Sequence, residues 1–409
     1  MVLNPIFTTS LARSGGGVFN FCLSAHPHMT VAHSPNLELF RSFRNAVIRE
    51  YSLQHAFSPS DSLSDYYGSE ARIALLDAMI ESSLDIPFDD SEWDVFLERS
   101  KRRGSFETPD LAAHYDSLRG CKTYREIFER FLIIIAKTRN SADSDWVGFH
   151  EPWIIDTFPA LARAFPNARF LVILRDPRAT INSNLNSDDP EEVGQLLSYA
   201  RHWRKYVALT RLFCSMPLFK NRIYVTAHDL LVSSPQLVLE KLCHAFNTEM
   251  HPNMLDTDMF LNPATGMAWT GNSSFEKTTR GIQRNAALRW RDTLSPTLVK
   301  TVEYLCGSDM RYVGYSPLTQ SAEPQYAPDP DIVNYLLLGN TNYANWRSDL
   351  GDPLLDLGLE AVRRQLLTLE VAPNDVSLIR KTFLFEDMYA GLLNQDGPLL
   401  PDLHNFFSL

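Results

Sequence analysis

Residues 170–183 read Phe-Leu-Val-Ile-Leu-Arg-Asp-Pro-Arg-Ala-Thr-Ile-Asn-Ser, an apolar run that empties into a charged turn. Phe170–Leu174 has the length and unbroken apolar character of a strand covered on both faces, which predicts a mostly parallel sheet flanked by helices. Open α/β sheets bind ligands at the carboxyl ends of their strands. Arg175 stands at that end, with Ser183 eight residues further on. A guanidinium is a planar fork of donors suited to phosphate, and a nearby hydroxyl adds another contact. The segment points to a bound nucleotide.

A second segment has the same character. Ile6–Ala12 predicts a first strand, Arg13-Ser-Gly-Gly-Gly17 a turn, and Val18–Ala25 a short helix closed by His26-Pro27. Strand, glycine loop and helix together open a phosphate-binding unit. In it Ser14, Gly15, Gly16, Gly17 and Val18 offer backbone N–H groups to an anion, and Arg13 adds a fixed positive charge. The loop is not G-x-x-x-x-G-K-[ST], and that pattern occurs nowhere in the chain. An ATP- or GTP-hydrolysing phosphate loop with its lysine and magnesium-binding hydroxyl is thereby disfavoured. A glycine-rich turn by itself is as often an ordinary tight turn. Paired with Arg175 and Ser183, it describes a ligand with two separated phosphate sites. A 3′-phosphoadenosine nucleotide has that shape, with its 5′ group at the loop and its 3′-phosphate at the Arg/Ser pair.

The 409 residues are 44% apolar, enough for one large domain or two with a real core. Net charge is −11, which argues against broad binding of nucleic acid or of an anionic membrane. No apolar run approaches the roughly 20 residues of a membrane span, and no positive residue precedes Arg13 as a secretory signal would require. A soluble, cytoplasmic protein is expected, with five scattered cysteines as buried free thiols. Residues from about 36 to 137 read as mostly helical, with apolar three-to-four spacing over Leu37–Tyr51, Ser69–Ser82 and Thr123–Ile135. The α/β pattern then resumes: strands are predicted at Trp146–His150, Phe170–Leu174 and Arg222–Thr226. Helices are predicted at Ile154–Ala164, Val193–Phe213 and Ser234–Phe246. Composition shifts at Gln320–Asp331, and amphipathic segments follow at Gly358–Val371 and Val376–Leu393.

The two motifs in this order resemble those of the PAPS-dependent sulfotransferases, PAPS being 3′-phosphoadenosine 5′-phosphosulfate. Arg13-Ser-Gly-Gly-Gly17 with Leu23-Ser-Ala-His-Pro27 is similar to that family's 5′-phosphosulfate loop. Ala162–Phe170, leading into Arg175-Asp-Pro-Arg178 and Ser183, is similar to its 3′-phosphate motif and is the most specific stretch. Gly271-Asn-Ser-Ser-Phe275 resembles the segment near the adenine, and Arg280-Gly281 the late loop that returns to the 3′-phosphate. Trp290-Arg291 and Met310-Arg-Tyr-Val-Gly-Tyr315 resemble the family's ending. The resemblance spans about residues 4–318. It implies a sulfotransferase domain over 1–318, with 36–137 as a helical insertion that selects the acceptor. A helical C-terminal extension over 319–409 lies outside it and is a candidate surface for self-association.

The resemblance implies an in-line transfer of the PAPS sulfuryl group to a hydroxyl or amine of a small-molecule acceptor, without a metal. Such a displacement needs positioning, a proton acceptor and charge stabilisation of the leaving oxygen. His150-Glu151-Pro152 matches the His-x-Pro of one branch of the family, so His150 is the favoured base, against a histidine that merely bonds its own strand. Glu151 and His33 are the other candidates. Arg13 is the cation for the 5′ end, and Ser273 or Ser274 could serve the sulfuryl group. Gly16 and Gly17 stand where relatives carry threonines, and no lysine occupies the His150 position. Those departures keep a catalytically silent nucleotide-binding relative in view, with an atypical kinase as a third reading.

Overall fold

The computed structural model describes residues 4–59, 65–139, 145–186, 196–262, 265–269, 275, 282–338, 353–370 and 373–403. Five strands form one parallel sheet: β1 (Asn4–Ser10), β2 (Met29–His33), β3 (Trp146–His150), β4 (Arg169–Leu174) and β5 (Ile223–Ala227), in the order β2-β3-β1-β4-β5. Every adjacent pair is parallel, so all five carboxyl ends lie along one edge. β2 has no counterpart in the sequence reading. Met29-Thr-Val-Ala-His33 is too short for its alternation to stand out, and it follows the loop signal His26-Pro27 directly.

Side chains alternate across the sheet. Phe7, Ala32, Phe149, Phe170 and Val172 face one core. It is covered by the helices Leu37–Glu50, Tyr124–Thr138, Phe158–Ala164 and Leu196–Ser215. Ile6, Val31, Leu171 and Ile173 face the other, covered by Gly16–Ser24 and Pro235–Ala245. Burial on both faces explains the near-continuous apolar strands. All five cysteines are free, and Cys214 is exposed rather than buried as expected. Among the described residues no helix is long and apolar enough to cross a membrane.

The C-terminal segment shares the larger core: Leu366, Ile379, Phe383, Met388, Tyr389 and Leu403 are buried in the same cluster as Phe7 and Phe170. The amphipathic stretch 376–393 is two helices, Val376–Phe383 and Glu386–Leu393, broken at Leu384 with φ 68°. From the helix Pro353–Leu366, Glu360 reaches Arg204 at 2.5 Å and Arg201 at 3.2 Å, with all three side chains about 1% exposed. Arg363 pairs with Asp309 at 2.5 Å, and Arg364 donates to the Tyr304 carbonyl. Arg380 and Lys381 pair with Asp77 and Glu70 of the helical region after β2. Arg204 and Arg201 hold the Glu360 carboxyl down at about 2 against the desolvation of its site.

Removing one partner from a buried ion cluster leaves uncompensated charge, at a cost of about 3–5 kcal/mol. Glu360→Gln is therefore expected to lower stability by about 3 kcal/mol or more, read as a shift of the urea midpoint. An unchanged midpoint would mean that the C-terminal helix is not part of the cooperative unit.

Candidate active site

β1 leaves the sheet at Ser10, and the chain turns through Leu11–Gly15 into a helix that starts at Gly16. Arg13 (φ 65°) and Gly15 (φ 88°) take left-handed conformations in this turn. The first bond around the helix runs from Phe19 N–H to the Gly15 carbonyl at 3.3 Å. The N–H groups of Gly16, Gly17 and Val18 therefore open at the helix mouth, where the dipole also favours an anion. The helix starts two residues earlier than its apolar pattern indicates, so two of the glycines belong to it.

The glycines are set by what lies behind them. A Cβ on Gly15 would fall 2.3 Å from His228 Cδ2, and one on Gly16 only 2.0 Å from His150 Nε2. At Gly17 the neighbour is His33 Cε1, at an ordinary 3.7 Å. Three successive residues of the loop thus back onto three imidazoles. Two of these follow from strand register. Thr8, His150 and His33 are aligned across β1, β3 and β2, on the face that carries Ile6 and Val31 lower in the sheet. Aligned residues of neighbouring parallel strands share a face, and the two rings stack at 5.5 Å and 7°. His228 follows β5 directly.

His150 is 2% exposed, with Nδ1 2.9 Å from Thr8 Oγ1 and Nε2 3.4 Å from Ser10 Oγ. Burial, and secondarily His33, hold its pKa well below the ordinary histidine value. His33 is partly buried, its Nδ1 has no hydrogen-bond partner among the described residues, and burial together with Arg139 lowers its pKa to about 4. Glu151 accepts the Asn36 N–H at 2.6 Å, and burial pushes its carboxyl up to about 8. Turns after three strands carry left-handed non-glycine residues: Arg13 after β1, Ser34 (φ 44°) after β2 and Trp153 (φ 73°) after β3. Such backbone is costly and collects at functional edges.

The second motif meets the first. Arg175, 9% exposed, donates to the Arg13 carbonyl at 2.7 Å and to the Ala286 carbonyl at 2.8 Å. Arg13 Nε donates to Ser183 Oγ at 3.3 Å, and Ser14 Oγ lies 3.4 Å from Thr180 Oγ1. Ser183 sits on the helix Pro177–Leu185, whose first turn is capped by the Asp176 side chain through the Arg178 N–H. Arg178 is not a ligand candidate. It is buried in ion pairs with Asp176 and Glu303 and lies 4.0 Å over the Trp290 ring. Ser273, Ser274, Arg280 and Gly281 lie outside the described residues. The sequence reading missed His228, Asp229, Thr8 and Ser10. For His228 the signal was available: it is the polar residue at the exit of an apolar strand, as Arg175 is.

Among the described residues no three His, Cys, Asp or Glu side chains are grouped to hold a metal. The arrangement instead offers N–H donors and arginines for anions on one side, and neutral imidazoles on the other.

The buried histidines make stability depend on pH. A histidine with a lowered native pKa takes up its proton more readily in the unfolded chain, so its contribution is lost as pH falls below about 6.5. Glu151 and Asp229, whose native values are raised to about 8 and about 6, act with the opposite sign. His150→Gln isolates one term. Its stability deficit against wild type at pH 7.5 should narrow below pH 6.5, by up to about 1.4 kcal/mol per pH unit. Urea titrations at several pH values check this, and a constant deficit would refute it.

The Sulfotransferase family model matches residues 5–252, more than half of the chain. Protein-tyrosine sulfotransferase A of Caenorhabditis elegans is 20% identical over 186 residues, 45% of this chain. That match covers 48% of the relative, so the chain spans about half of its length. Among solved structures, the sulfotransferase domain from the curacin biosynthetic pathway is 18% identical, with a TM-score of 0.40, covering 72% of this chain and 93% of that one. Sulfotransferase STF9 from Mycobacterium avium is 15% identical, with a TM-score of 0.38, covering 77% and 78%. With its glycine loop on β1 and its Arg/Ser motif on β4 inside the matched region, the chain belongs to the sulfotransferase family.

Proposed function

We propose that this protein transfers the sulfuryl group of PAPS to a hydroxyl or amine of a small-molecule acceptor. The observation that carries the reading is the junction of the two anion motifs. Arg175 holds the Arg13 carbonyl, and Arg13 reaches Ser183, so the glycine loop and the β4 exit form one cationic corner beside a helix mouth. The loop N–H groups and Arg13 would bind the 5′-phosphosulfate, and Arg175 with Ser183 the 3′-phosphate. In the in-line displacement the S–O bond to the departing phosphate breaks as the acceptor oxygen bonds to sulfur. Donors at the loop then stabilise the charge on the leaving oxygen.

The acceptor proton needs a base on the other side of the loop. Both nitrogens of His150 face hydroxyls, whereas no ring nitrogen of His33 bonds a described residue and its Nε2 edge stands beside Gly17. The better assignment is His33 as the base, with His150 stacked beneath it as a positioning residue. A lowered pKa keeps His33 unprotonated, hence able to accept, throughout the neutral range. The net charge of −11 favours a small acceptor over a polyanionic glycan.

Two measurements test this. Excess 3′-phosphoadenosine 5′-phosphate should raise the melting temperature by several degrees, while ATP with magnesium should not. The opposite ranking would favour the kinase reading. With radiolabelled PAPS and a panel of phenols, alcohols and amines, His33→Ala should cut kcat by about 10²-fold or more with nucleotide affinity retained. Full turnover in His33→Ala, with loss in His150→Ala, would return the role of base to His150. Tight nucleotide binding with no transfer to any acceptor would favour a catalytically silent protein.

A further inference from the structure

His228 has no part in the transfer described above, yet it occupies the donor corner. Its ring follows β5, is 6% exposed, and lies directly behind Gly15. Neither ring nitrogen bonds a described residue, and Nδ1 is fully enclosed. The Nε of Arg175, whose charge acts on this ring, is also enclosed and bonds no described residue. A buried polar group left unsatisfied costs about 1–3 kcal/mol. The Arg175 charge acts on the ring, and the ring edge lies against Gly15 at the open N–H groups of the helix mouth, so the Nε2 side of His228, which bonds no described residue, is the donor available to an anion. His150, by contrast, has both nitrogens within reach of hydroxyls.

We infer that His228 is a ligand-binding residue of the donor pocket: as an imidazolium it donates to a phosphate oxygen of the 3′-phosphorylated nucleotide beside Arg175, so that nucleotide binding takes up a proton. The inference rests on the donor reading above. Without ligand, burial and the Arg175 charge hold the His228 imidazole well below its usual range, so it is neutral at pH 7. A phosphate dianion against the ring would reverse that balance.

The other charged or titratable groups at this corner come from every side. Arg13 is in the loop, Asp176 leads the helix after β4, and His150 lies behind Gly16. Asp229 follows His228, and Tyr315 donates to Asp229 at 2.7 Å. The Asp229 carboxyl, raised to about 6 by burial and by Asp176, titrates in the same window. It remains in a His228 variant, so its effect cancels when the two proteins are compared.

Calorimetric titration of the full chain with 3′-phosphoadenosine 5′-phosphate, in buffers of different ionisation enthalpy, reads the proton directly. At pH 6.5 the wild type should take up about one proton more than His228→Gln and bind about tenfold tighter, equivalent to one pKa unit. That ratio should shrink toward unity by pH 8.5. Equal proton counts, or a ratio independent of pH, would overturn the inference. Absence of binding by the wild type would remove the donor reading together with it. If His228→Gln melts well below the wild type, His228→Asn provides the comparison. Net proton release by the wild type at pH 6.5 would also count against the inference.

Discussion

The contact between the loop backbone and the His150 ring governs the geometry of this site. Gly16 lies so close to Nε2 that no side chain fits between them. The ring in turn is held by Thr8 and Ser10 of the strand that feeds the loop. β1 therefore controls the loop twice, through the chain itself and through the histidine of its neighbour. Gly16 then has a physical cause, whereas a Cβ at Gly17 would meet only ordinary contacts. At Gly16 a side chain is given up for a close approach of backbone to imidazole, which under the proposed function would leave anion binding to N–H groups and arginine.

The same dependence extends outward. Arg175 fixes the loop through the Arg13 carbonyl, and its own carbonyl accepts from Trp203 Nε1 at 2.8 Å. Trp203 lies on the helix Leu196–Ser215, which also carries Arg201 and Arg204, the partners of Glu360. Tyr206 of this helix donates to the Ser10 carbonyl. One helix thus connects the strand exits to the C-terminal segment. A buried ion cluster restricts how that helix can shift. The C-terminal helices also grip the helical region after β2 through Arg380 and Asp77.

The parts that were legible in the sequence were those with local signals. Phe170–Leu174 reads as a buried strand because five apolar residues meet a charged turn, and Arg13–Gly17 reads as a loop because glycines cluster there. β2 was not legible: its five residues form a strand because β3 pairs with them, a long-range cause that no local window contains. The stacking of His33 on His150 was hidden for the same reason, since it follows from register. Arg178 looked like part of a ligand motif, yet it is neutralised by Glu303, a partner more than a hundred residues away. The burial of the C-terminal helices was equally non-local, because their amphipathic pattern records an apolar face without naming what it covers.

Strand order converts these residues into a gradient across the edge. From β2 to β5 the exits carry His33, His150, the glycine loop, Arg175 and His228. Permanent positive charge is concentrated at the loop and β4, where Arg13 and Arg175 lie. The β2 and β3 side has imidazoles kept neutral by burial, and Glu151, whose raised pKa favours the protonated acid at pH 7. Under the proposed function, a dianionic leaving group would be stabilised at the first place and an uncharged acceptor tolerated at the second. Transfer across the loop would then carry negative charge toward the arginines while the acceptor proton moves toward the histidines. A cation such as lysine at the His150 position would oppose that proton's arrival. Its replacement by a neutral ring is consistent with a division of labour in which the arginines carry the charge and the imidazoles handle the proton.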